Sequence, residues 1–174
     1  MPCKIKTGLV AIAMLLVINI LNAQQPHKAL EEFKRLEGKW EGPATFTGEG
    51  KTHQFTYYAD FRRTADGSGL YMDEWFNAPG LGVMKGSNLI GYNANDGKIH
   101  WFTVDNFGTT HDHLGTWKSA GHFFMQAREV QGGKKFVENI DMTLTGVDTI
   151  DLLITATLDG KETERCVATF HHSK

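Results

Sequence analysis

QFTYYADFRR, residues 54–63, alternates without a break. Phe55, Tyr57, Ala59 and Phe61 fall on one side, and Thr56, Tyr58, Asp60 and Arg62 on the other. Successive side chains of an extended chain point to opposite faces, so this period of two reads as a strand with one buried face. The same period recurs at residues 70–76, 99–104, 136–144, 150–158 and 165–171. Turn-forming residues separate the runs: Ala65-Asp66-Gly67, the NANDG of residues 93–97, Gln131-Gly132-Gly133 and Asp159-Gly160. At this short, regular spacing the pattern predicts about ten antiparallel strands.

Residues 26–36 form the one helical pattern, with Pro26 able to open it, Leu30, Phe33 and Leu36 recurring between charges, and Gly38 as a stop. No second helix is long enough for βαβ crossovers, which argues against a parallel α/β sheet. The expected fold class is therefore all-β. A single antiparallel up-and-down barrel of about ten strands, with a short N-terminal helix, removes every exposed strand edge. A two-sheet sandwich is the alternative.

The N-terminus reads as an export signal. Lys4 and Lys6 precede an apolar run, LVAIAMLLVINIL (residues 9–21), and Leu21-Asn22-Ala23 offers a small residue before Gln24. The run is shorter than the roughly 20 apolar residues of a spanning helix. Cys3 lies upstream of it, so no cysteine stands at the cut to take a lipid. The expectation is a cleavable signal peptide, residues 1–23, and one exported domain, residues 24–174, periplasmic or secreted, with no transmembrane segment left in it.

Cleavage removes two lysines and no acidic residue, moving the formal net charge of −2 to about −4. A mildly acidic chain without basic runs argues against a nucleic-acid partner and against a membrane-surface helix. With Cys3 gone, Cys166 stands alone and no disulfide can form. Its alternation with Ala168 and Phe170 reads as a small buried hydrophobe.

Gly38-Lys39-Trp40 follows the helix and opens the first strand. The glycine allows a tight turn, and the tryptophan can plug a barrel end. With Leu36-Glu37-Gly38-Lys39-Trp40, Gly91-Tyr92-Asn93, Trp101 and Asp105, the chain resembles the lipocalin-like (calycin) barrels. More closely it resembles the exported bacterial proteins of domain-of-unknown-function family 1579, although that group more often has an acidic residue where Asn93 stands. The resemblance covers most of the chain after the signal. It implies a barrel with an internal cavity and no reaction. A second barrel class, the nitrobindin-like haem proteins, also begins with a tryptophan after a glycine and uses a late histidine as iron ligand. Glu41-Gly42-Pro43-Ala44-Thr45-Phe46 departs from that pattern, and His171 and His172 read better as a frayed, polar C-terminus.

His111-Asp112-His113 is the densest chemical cluster. On a strand both imidazoles project from one face, together with Gly115 and Trp117, and Asp112 from the other. Two such histidines can share a divalent metal if the fold supplies a third ligand, with His100, His122 and Glu129 as candidates. Cupin-type barrels follow their His-x-His closely with a glutamate, and residues 114–126 contain no acidic residue. No GxSxG elbow, HExxH or phosphate-cradling glycine loop is present.

Aromatic side chains form the other candidate site, mixed with histidine and methionine as an amphipathic pocket would be. The candidate ligand-binding set is Trp40, Tyr57, Trp75, Trp101, His111, His113, Trp117 and Met125. The sequence specifies no catalytic residue and no cofactor; a divalent metal on His111 and His113, or haem, is the alternative. The leading expectation is a non-enzymatic barrel that takes a small apolar or amphipathic molecule. Docking of another exported protein on the outer face is the third reading, and it predicts a contiguous exposed apolar patch.

Overall fold

The computed structural model describes residues 30–65 and 67–173. Residues 1–23, read as the signal, lie outside them. Ten strands follow a short 3₁₀ turn, Glu32–Leu36. They are β1 (Gly38–Gly48), β2 (Lys51–Arg63), β3 (Gly69–Ala78), β4 (Gly82–Asn93), β5 (Lys98–Asp105), β6 (Thr110–Ser119), β7 (His122–Gln131), β8 (Lys134–Thr145), β9 (Thr149–Leu158) and β10 (Lys161–His172). Each strand pairs antiparallel with its sequence neighbours, and β1 closes the ring on β10. The sandwich alternative therefore falls. The fold is a closed up-and-down barrel of the lipocalin-like kind. Turn chemistry does what the sequence suggests: Asp159 and Gly160, with φ of 51° and 80°, make the tight two-residue link between β9 and β10.

Residues 26–29 of the expected helix lie outside the described residues, and its last part is the tighter 3₁₀ turn, Glu32–Leu36. Leu30, Phe33 and Leu36 sit three apart, the repeat of a 3₁₀ turn, which stacks every third side chain on one face. Phe33 and Leu36 are fully buried and stop one end of the barrel. Phe33 packs against Trp117 at 4.9 Å, Phe123 at 5.0 Å and Trp101 at 6.2 Å. The indole N–H of Trp40 donates to the Leu36 carbonyl at 2.7 Å, tying the plug to the first strand. Gly38 permits this approach: its φ is 113°, and a Cβ there would stand 2.5 Å from His172 Nε2.

His171 and His172 are not frayed. β10 runs to His172, which pairs with Trp40 in register and packs edge-on against its ring at 4.9 Å. Strand pairing holds both ends of β10, and this is why the two late histidines are wall residues and not loose polar ends. Cys166 lies buried on the inner face with Ala168 and Phe170, as its alternation indicated. No helix among the described residues is long and apolar enough to cross a membrane.

Phe33→Ala should cost about 3–5 kcal/mol, because the plug loses a fully buried ring that its neighbours cannot replace. Urea denaturation of wild type and variant measures it; a loss below 1 kcal/mol would mean that Phe33 does not close the barrel.

Candidate functional site

Strand parity decides what the interior contains. On β2, Tyr57, Ala59 and Phe61 are buried. On β3 the inward set is Leu70, Met72, Glu74 and Phe76, which puts Trp75 outside. Trp75 is 37% exposed and stacks flat on Tyr58 across the strand pair, 5.3 Å between centroids. Its place in the candidate set is therefore corrected: Trp75 is an outer-face residue, and the carboxylate beside it in sequence points inward.

The interior encloses a cavity of about 600 Å³, open at the end opposite the plug. Trp40, Tyr57, Trp101, His111, His113 and Met125 line it. Trp117 is on the inner face but packs under Phe33 at the stoppered end and does not line the cavity, a second correction. Phe55 and Phe76 stack at 4.3 Å on the wall, nearer the mouth than Tyr57.

One wall carries a hydrogen-bonded chain across β2, β3, β4 and β5. The Trp101 indole N–H donates to Asn88 Oδ1 at 2.8 Å, and the Thr103 hydroxyl donates to the same oxygen at 2.5 Å. Asn88 in turn donates its amide to Glu74 Oε1 at 3.0 Å and to the Met72 carbonyl at 3.2 Å. Because an indole nitrogen can only donate, the orientation of the Asn88 amide is settled. The Tyr57 hydroxyl donates to the other Glu74 oxygen. Burial pushes the Glu74 carboxyl up, against the pull of these two hydrogen bonds. Burial, then the charge of Glu74, pushes the Tyr57 phenol well up.

The adjoining strands β6, β7 and β8 carry two histidine–carboxylate pairs, with His113 beside Trp101 and His111 beside Thr103 in register. His113 Nε2 lies 2.5 Å from Glu138 Oε2, and His111 Nδ1 lies 2.8 Å from Glu129 Oε1. His111 and His113 do share a face, with rings 5.7 Å apart. Asp112 points outward and takes His100 Nδ1 at 3.1 Å. His122 is also outside, paired with Asp141 at 2.9 Å, so neither His100 nor His122 can complete a metal set with the inner pair. Among the described residues no group of three or more His, Cys, Asp or Glu is assembled to hold a metal. His171 and His172 sit at the plugged end, away from the mouth.

Sequence reading missed Glu74, Asn88 and Glu138; Glu129, named there as a candidate partner of the two histidines, does meet His111. Glu138 was legible in principle, since Phe136, Glu138, Ile140 and Met142 alternate as one inward set. Its charge argued for the outside. The thiol of Cys166 also senses this interior: burial, then Glu138 and Glu74, push it up to about 11, which keeps it a thiol and unreactive at neutral pH.

No family model matches the chain, and no curated protein matches it. Among solved structures it is similar to an S-type phycobiliprotein lyase, CPES, from Guillardia theta, with 14% sequence identity and a TM-score of 0.60 over 84% of this chain and 93% of that one. The likeness is one of fold. It agrees with the calycin-like resemblance read from the sequence.

Glu74 yields a pH test. Its raised pKa means that the folded protein keeps a proton the unfolded chain has released, so this contribution to stability is full below the unfolded value and is lost as pH rises through the folded one. Glu74→Gln removes that dependence and leaves a group that can still bond Tyr57 and Asn88. The variant should gain stability relative to wild type as pH rises from the ordinary carboxylate range toward neutrality in denaturation curves, and a difference that stays constant would contradict the raised pKa.

Proposed function

We propose that this chain is an exported, non-enzymatic barrel that takes a small apolar or amphipathic ligand into its interior. The cavity carries this reading: about 600 Å³, open at one end, with aromatic and methionine walls and two polar stations. That volume and that mixture of apolar lining with a few fixed polar groups are those of small-molecule sites. The phycobiliprotein lyase lends the fold and not the ligand. Kinship with the exported family 1579 proteins rests on residues 36–40, 91–93, Trp101 and Asp105, and export rests on residues 1–23. Protein recovered from the periplasm or medium should begin at Gln24, as read by intact mass.

Ile154 lines the cavity from β9 and is only partly buried. Ile154→Trp should fill the space and weaken uptake of an apolar fluorophore by about tenfold or more, with the fold retained by circular dichroism. Unchanged uptake would place the binding site elsewhere.

The docking reading is favoured by one observation. Tyr71, Leu89 and Phe102 lie side by side in register on the outside of β3, β4 and β5, each between 44% and 48% exposed. Such a row of large apolar side chains is uncommon on an isolated domain. Paired Leu89→Lys and Phe102→Lys changes should abolish any co-purifying envelope partner while leaving ligand uptake intact.

A further inference from the structure

The inner wall has used up its donors. The N–H of Trp101, the hydroxyls of Thr103 and Tyr57, and both amide hydrogens of Asn88 are each committed to a protein acceptor. The Trp40 N–H is spent on the plug. On the adjoining strand β6, His111 and His113 each give a ring N–H to a glutamate. His113 is 2% exposed and lines the cavity, and its Nδ1 is buried without a hydrogen-bond partner. A bare buried N–H would be costly, so the proton belongs on Nε2 and Nδ1 is an unfilled acceptor. What the wall has left to offer is acceptors: the remaining lone pairs of Glu74 and Glu138 and the nitrogen of His113.

The charge has the same sign. Glu74 and Glu138 face the same space, and each raises the pKa of the Cys166 thiol and the Tyr57 phenol. The two cations on the lining, Lys51 and Arg165, are both exposed, and Arg165 forks onto Glu162 at 2.8 and 2.9 Å. An anionic ligand would find neither donor nor cation on this inner wall.

Glu74 is also given room. Gly86 stands opposite it in register, and a Cβ at that position would lie 2.7 Å from Glu74 Oε1. Held on both oxygens by Tyr57 and Asn88, the carboxylate could not swing aside to accommodate it. Phe55, Phe76 and Tyr57 surround the adjoining space with ring faces and edges suited to an apolar body and to a nearby cation.

We propose that the ligand of this barrel is an amphipathic amine, its protonated nitrogen docked on Glu74 and its apolar body against the aromatic rings. This rests on the cavity-binding reading above. The test uses three compounds with one ring system: 1-naphthylmethylamine, 1-naphthylmethanol and 1-naphthoic acid, titrated into the purified protein by calorimetry at neutral pH. The amine should bind about tenfold or more tighter than the alcohol, as a charge-assisted contact does over a neutral one, and the acid most weakly. Glu74→Gln should narrow the margin of amine over alcohol about tenfold. Glu138→Gln, away from the Tyr57–Asn88 contacts, is the second variant should the first not fold, and it should narrow the margin in the same direction. Acid binding as tightly as amine overturns the proposal, as does a margin that survives both substitutions; in either case the cavity reading stands. Binding of none of the three removes the cavity reading and the amine with it.

Discussion

Left open, a ten-stranded sheet would carry two rows of unpaired N–H and C=O groups and enclose nothing. Here Trp40 to Gly48 on β1 and Glu164 to His172 on β10 face each other in register and join those edges. The seam is tight. A Cβ on Gly42 would lie 1.8 Å from the Thr169 carbonyl oxygen, and the next residue, Pro43, has no N–H to offer. At the plugged end, Gly38, Trp40 and His172 meet, and Trp40 holds the 3₁₀ turn whose Phe33 stops the barrel. Wall, seam and plug thus share residues, and the cavity exists because all three are satisfied together.

Alternation in the sequence made the strands legible, and with them the fold class. It also placed His111 and His113 on one face and Asp112 on the other. What alternation cannot supply is the sign of the face. At Glu74-Trp75 the hydrophobic choice was Trp75 inward, yet the neighbours Met72 and Phe76 lock the opposite parity. Glu138 went unnoticed for the same reason, since a charge on a strand normally seeks water. Trp117 had the right face, but its depth along the barrel depends on where Phe33 sits, a contact between distant parts of the chain. The helix differed in pitch because its apolar residues recur at three and not at alternating three and four.

The misreadings cluster where the interior departs from a filled apolar core, and such departures from local rules are expected at working sites. A buried carboxylate held only by neutral donors pays a desolvation penalty that an aliphatic side chain would avoid. Glu74 has Tyr57 and Asn88 in that role, and Glu138 has an imidazole. A barrel selected for stability alone would fill this volume with leucine and isoleucine. This one keeps the hollow and the acceptors, and places bulky aromatic side chains such as Trp75 and Phe102 on its outer wall.

The seam also sets an order of events in folding. Nine of the ten strand pairings join neighbours in the chain and can form as local hairpins. The tenth brings Trp40 to His172, more than a hundred residues away. Its partners are the farthest apart in sequence of all the pairings, so this pair should form last. Until β10 is available, β1 carries a free edge, and the nascent sheet is open to pairing with a second copy of itself.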